Sequence, residues 1–139
     1  MSSNTESVAK PPADTWYTRP VFFVVDVTVA LDFYQATLGF SLAWTHENAG
    51  SIIVAQVNRG SACEIILCKD SDRAGSSRVF IALEDAELAA WKSEINVKAI
   101  KASDTWWGYS VIEIKDPDGN ELLFPSTLES ATDTSPSCP

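Results

Sequence analysis

Histidine, cysteine and basic side chains are scarce in this chain of 139 residues, and each scarcity removes a class of chemistry. The single histidine is His46, so no metal centre built on several imidazoles can form. Beside Glu47 near a turn it is either a general base or a solvated side chain, and no nucleophile accompanies it in a recognisable constellation. Of three cysteines, Cys138 lies near the end of the chain, while Cys63 and Cys68 stand five apart in an apparent strand. That odd separation sends the two thiols to opposite faces, which argues against a bridge or a shared ion and for reduced, buried thiols. Ten basic residues face nineteen acidic ones, for a net charge of −9. Between Trp16 and Pro125 the balance is 15 acidic to 9 basic. Such a surface does not suit phosphate-backbone binding, so nucleic acid is excluded as a partner. Six glycines form no phosphate-cradling loop, and no apolar run approaches the roughly 20 residues that span a bilayer. No basic start followed by an apolar core marks a secretory signal, so the expectation is a cytoplasmic protein with no membrane partner.

What is present is a pattern of short strands and two helices. Residues 1–15 and 126–139 are rich in Ser, Thr, Asn and Pro without periodicity and read as disordered tails. Residues 19–25 form an apolar, β-branched and aromatic strand, after which Asp26 or Thr28 offers an N-cap. Ala30, Phe33, Tyr34, Thr37 and Leu38 follow at helical spacing, with Gly39 as the stop. Strands are expected at 40–45, 51–57 and 62–68, separated by turn-forming residues. The order then repeats after a polar linker. A strand at 78–83 leads to a helix capped by Asp85, with Leu88, Trp91 and Ile95 as its buried stripe. Short strands are expected at 97–101, 108–115 and 121–124.

The last two strands flank Asp116-Pro117-Asp118-Gly119-Asn120, where Pro fixes φ and Gly takes φ > 0, the makings of a tight hairpin. An offset of 59 residues lays Arg19 on Arg78, Asp26 on Asp85 and Glu64 on Leu123. The chain therefore reads as an α+β domain of two βαβββ modules, residues 16–68 and 77–125.

Val25-Asp26 with Ala30-Leu31-Asp32-Phe33-Tyr34 and Leu38-Gly39-Phe40, followed by Trp107-Gly108 and Asp116-Pro117-Asp118-Gly119-Asn120, resembles the vicinal oxygen chelate superfamily. That superfamily includes glyoxalase I, extradiol dioxygenases and bleomycin-resistance proteins. The resemblance implies modules that curl a mixed sheet into a cup with helices outside, often completed by a homodimer. It also implies a divalent metal in many members, held from the first and a late strand of each module. Those places fall here on Arg19, Glu64, Arg78 and Leu123, of which only Glu64 can ligate. No metal and no cofactor are therefore expected.

The nearest pattern is the metal-free bleomycin-resistance type, which implies sequestration of a bulky, cationic, partly aromatic antibiotic rather than catalysis. Expected ligand-binding residues are Trp44, Trp106 and Trp107 as stacking faces, with Tyr109, Glu64, Arg19, Arg78 and Leu123 around them. Each tryptophan reads equally as a core or interface aromatic. Glu64 either receives a ligand amine or pairs with Arg19 or Arg78. Those two arginines alternatively suit an anionic ligand. A metal-dependent lyase or dioxygenase, or a metal-free enzyme or sensor for an anionic molecule, are the competing functions.

Overall fold

The computed structural model describes residues 16, 18–106 and 110–125, with residues 104–106 and 110 described through their backbone alone. In the first module, strand β1 (Val21–Val24) leads into helix α1 (Val27–Asp32). Asp26 is the N-cap, its carboxylate accepting from Val29 N–H at 3.2 Å. The helix continues as a wide π turn over Phe33–Thr37, in which Leu38 N–H donates to Phe33 O at 3.1 Å. Strands β2 (Ser41–Asn48), β3 (Ser51–Arg59) and β4 (Cys63–Lys69) complete the module. The second module repeats the order: β5 (Arg78–Phe80), α2 (Asp85–Val97), β6 (Ser103–Trp106), β7 (Ser110–Lys115) and β8 (Glu121–Pro125).

The strands form two four-stranded sheets of identical topology, β1-β4-β3-β2 and β5-β8-β7-β6. In each, the first strand runs parallel to the last and the others are antiparallel. The α+β, two-module reading of the sequence is what the structure shows. One hydrophobic core serves both modules: Phe22, Tyr34, Ile65 and Leu67 from the first join Leu88, Trp91, Ile114 and Phe124 from the second.

Three sequence expectations shift. No strand forms at 97–101, because α2 runs to Val97 and Lys98, Ala99 and Ile100 wrap its end. Ile100 N–H returns to Ile95 O at 2.9 Å, and Ala99 takes the left-handed conformation (φ 55°) without a glycine to announce it. Ile100 packs on the core as the hydrophobic partner of that cap, and the strand starts at Ser103. The N-cap of α2 is Glu84 rather than Asp85, which with Glu87 lies in the first turn where the helix dipole favours a carboxylate. Strand β2 reaches Asn48, so His46 is an exposed strand residue opposite Val54 rather than a loop residue.

The hairpin at 116–120 forms as read, with Asp116 N–H donating to Asn120 O at 2.9 Å and Gly119 at φ 101°. It also clamps the modules. The Asp116 carboxylate accepts from Tyr34 OH at 3.0 Å, from Asp118 and Asn120 N–H at 2.9 Å each, and from Asn120 Nδ2 at 3.0 Å. Asn120 Nδ2 also reaches Phe23 O at 2.9 Å, and Asp118 Oδ1 accepts from Val25 N–H at 3.1 Å. The linker presses on this turn at Gly75, where a Cβ would lie 2.2 Å from Asp118 O, so only glycine fits.

Candidate functional site

Strand alternation decides which side chains are available to a ligand. Ala55, Val57, Ile65 and Leu67 point into the core and are buried, leaving Gln56, Asn58, Glu64 and Ile66 on the other face of the first sheet. The register aligns that face in rows across the strands. One row is Val21, Ile66, Gln56 and Trp44; the next contains Glu64, Asn58 and Ser41. Arg19 and Glu64 each stand two residues before the Val21–Ile66 pair, which places Arg19 beside Glu64 in the second row.

The centre of this face is a residue that sequence reading passed over. Gln56 is 1% exposed, and its Oε1 accepts from Arg19 Nη1 at 2.9 Å and from Trp44 Nε1 at 3.1 Å. Its Nε2 donates to Asn58 Oδ1 at 3.0 Å. The buried Gln56 amide, which would cost about 1–3 kcal/mol to leave unpaired, thereby holds both the guanidinium and the indole in place. The signal was present: a glutamine between Ala55 and Val57 interrupts an apolar strand on the parity that avoids the core.

The second sheet presents different chemistry in the same positions. Leu122, Phe124, Ile112 and Ile114 face the core, so Phe80, Leu123, Glu113 and Ser103 form the matching row on the opposite face. Here the register corrects the 59-residue offset. Phe80, not Arg78, lies opposite Leu123; Arg78 lies opposite Glu121 and bonds it at 2.6 Å. The offset failed because it assumed equal spacing between the first strand and the helix cap in both modules. Glu113 and Glu121 sit close together, with Ser103 Oγ donating to Glu113 at 3.3 Å. The hydrogen bond with Glu121, then burial, holds the Glu113 carboxyl above its usual range, while Glu121 is drawn below it by its bonds to Glu113 and Arg78 against the cost of its own burial.

The positions that the resemblance assigns to an ion thus become Arg19, Glu64, Phe80 and Leu123. A guanidinium, two hydrocarbons and one carboxylate do not fit a divalent cation, which needs about three donors. Among the described residues no group of three His, Cys, Asp or Glu side chains could hold a metal. Of the other expected site residues, Trp44 is half-buried on the first sheet's face. Trp106 ends β6 opposite Ser110, and Trp107 and Tyr109 lie outside the described residues. Cys63 packs against the core, where burial raises its thiol pKa and keeps it protonated, and Cys68 falls on the other face, as the odd spacing implied. A cleft of about 550 Å³ opens at the seam between the modules and includes both Glu64 and Phe80 of these positions.

The architecture has known counterparts. The model of a family described as the Glyoxalase/Bleomycin resistance protein/Dioxygenase superfamily matches residues 16–124. A search of curated proteins by sequence returns no match. Among solved structures, the chain is similar to TnmS3, an antibiotic binding protein from Streptomyces sp. CB03234, at 23% identity and TM-score 0.61, covering 83% of this chain and 98% of that one. It is similar to the bleomycin-binding protein from Streptomyces verticillus, solved with copper(II)-bleomycin, at 21% identity and TM-score 0.59, over 83% and 98% of the two chains. A lactoylglutathione lyase from Agrobacterium tumefaciens is similar at 20% identity and TM-score 0.58, over 84% and 95%. Likeness at these identities is likeness of fold.

Proposed function

Because the chain belongs to the Glyoxalase/Bleomycin resistance protein/Dioxygenase superfamily, whose enzymes and binding proteins share one fold, we propose that it is a metal-free binding protein of the bleomycin-resistance type. It sequesters a bulky, cationic, partly aromatic molecule and does no chemistry on it. The observation that carries this reading is the face of the first sheet. Where a metal-dependent relative would present ligands, Gln56 ties Arg19 and Trp44 into a fixed polar and aromatic surface. An indole held by its N–H keeps its ring face for stacking, and the aromatic quadrupole attracts a cation. Glu64 adds a carboxylate in the adjoining row for a ligand amine. Phe80, which is 40% exposed, supplies the opposite wall, with Leu123, 1% exposed, paired beside it, and a homodimer completes it as in the superfamily pattern. Trp106, at the end of β6, is assigned to the same proposed site together with Trp107 and Tyr109.

The reading of Arg19 and Arg78 as a joint anion clamp has less support, since Arg78 is held by Glu121 and Arg19 by Gln56. A lyase or dioxygenase reading has the fold of a relative in its favour but not the donor set. Titration with bleomycin, followed by tryptophan fluorescence and calorimetry, tests the proposal. The expected result is saturable quenching that Trp44→Phe largely removes. No change at tens of micromolar bleomycin overturns the ligand class, and stoichiometric nickel, zinc, iron or manganese in the purified protein overturns the metal-free claim.

A further inference from the structure

The polar network on the first sheet's face has a direction. Arginine and tryptophan side chains only donate, so Gln56 must turn its Oε1 toward Arg19 Nη1 and Trp44 Nε1, at 2.9 and 3.1 Å. That choice leaves Nε2 on the other side of the amide, where it donates to Asn58 Oδ1 at 3.0 Å. Asn58 therefore has its oxygen committed to Gln56. Two donor-only groups fix the orientation of two successive amides, and what the relay presents at its end is an N–H donor, Asn58 Nδ2.

That donor is accessible. Asn58 Nδ2 has no acceptor among the described residues, and among them the Trp91 indole is the one buried side-chain polar atom without a partner, so the Asn58 N–H groups reach the surface. They do so on the proposed ligand face. Asn58 shares the parity of Gln56, opposite to core-facing Val57, and stands in register between exposed Ser41 and half-buried Glu64. Side chains paired across antiparallel strands start about 4.5–5.5 Å apart, so an amide donor and a carboxylate stand side by side at that spacing.

We infer that Asn58 determines specificity at this site, donating from Nδ2 to a carbonyl oxygen of the ligand, whose cationic nitrogen lies about 5 Å away beside Glu64. The ligand class narrows from any bulky aromatic cation to one with an oxygen acceptor close to its charge. Gln56 is the positioning residue, acting through Asn58. The inference rests on the reading of the first sheet's face as the ligand site.

Benzoylcholine, with an aromatic ring, an ester carbonyl and a fixed positive charge, is the probe. Phenylbutyl-trimethylammonium, of the same chain length without the oxygens, is its control. In ¹H–¹⁵N spectra the Asn58 side-chain NH₂ pair, assigned by its loss in Asn58→Asp, is expected to move downfield with benzoylcholine and much less with the control. Both probes are expected to move the Trp44 indole signal, assigned by its loss in Trp44→Phe. Asn58→Asp keeps the bond from Gln56 Nε2 and turns the outward donor into an acceptor. The preference for benzoylcholine over the control is expected to fall about 5-fold, the size of one neutral hydrogen bond. Gln56→Glu removes the Nε2 donor and lets the Asn58 amide reverse, so it is expected to erase the same preference with Asn58 intact. A merely structural role would leave the ratio of the two affinities unchanged. An Asn58 signal unmoved by millimolar benzoylcholine, or a preference that survives Asn58→Asp, overturns the inference, while a Trp44 response in the same spectra keeps the face as the ligand site. A Trp44 signal unmoved by either probe overturns both. If Asn58→Asp fails to fold, Asn58→Ala assigns the signal and Gln56→Glu tests the preference.

Discussion

In the first module the turn after β3 sends Arg59 onto α2 of the second; in the second module the turn after β7 sends Asp116 onto Tyr34 of the first. The two contacts occupy related places in a repeated topology, and each ties one half's last hairpin to the other half's helix. Their chemistry differs. Arg59 and Glu94 form an ion pair whose side chains are 38% and 26% exposed. Asp116 and Tyr34 are 4% and 0% exposed, and the carboxylate is satisfied by neutral donors. Water competes for the first pair and not for the second, so similar hydrogen-bond lengths conceal different contributions. The repeat conserves which elements touch, while burial decides how much each contact is worth.

The largest expected effect is therefore at Asp116. Asp116→Ala leaves Tyr34 OH, Asn120 Nδ2 and two backbone N–H groups short of an acceptor, and is expected to destabilise by about 3–5 kcal/mol. Urea unfolding measures it, and a loss under 1 kcal/mol would erase the contrast between the turns. Tyr34→Phe isolates one arm of the network while keeping the ring contacts with Phe33 and Phe40. It is expected to cost about 1.5–3 kcal/mol, the range for a hydrogen bond to a charged group. Burial, then Asp116, pushes the tyrosine pKa up, so the hydroxyl remains a donor throughout the alkaline range. Tyr34→Phe should accordingly cost the same at pH 7 and pH 9, and a marked difference would show that the hydroxyl is not buried as described.

The sequence made the Asp116 turn legible and hid what the turn holds. Pro117 and Gly119 are local signals, whereas the pairing of Asp116 with Tyr34 spans 82 positions and depends on how the modules dock. The strand order, both helices and the paired modules were readable because period-2 and three-four patterns are local as well. The fold at 98–102 was not, since Ala99 carries no mark of its left-handed conformation. For the proposed site, Trp44, Arg19 and Glu64 could be nominated from residue type alone. The Gln56 that joins Trp44 to Arg19 was not, because its partners come from β2 and the start of β1. The exchange of Arg78 for Phe80 was equally hidden, since register is set by strand pairing and not by counting residues.

The smallest effect belongs to Arg59 and Glu94, and measuring it requires care because Arg59 does more than pair. Its guanidinium also donates to Leu38 O and stacks on Trp91, so Arg59→Ala alone overstates the ion pair. A double-mutant cycle with Glu94→Ala removes those other contacts, and the coupling is expected at about 0.2–1 kcal/mol at pH 7, falling with added salt. The bond from Arg59 holds the Glu94 carboxyl below its ordinary value of 4.5. A depressed carboxylate stabilises the fold above its unfolded pKa, and that contribution disappears as pH falls through the folded value. The coupling should thus persist at pH 6 and fade on acidification only below the ordinary carboxylate range, as Glu94 takes up its proton. A coupling that does not weaken at all on acidification, or that exceeds the cost of Tyr34→Phe, would mean that the exposed turn rather than the buried one holds the modules together.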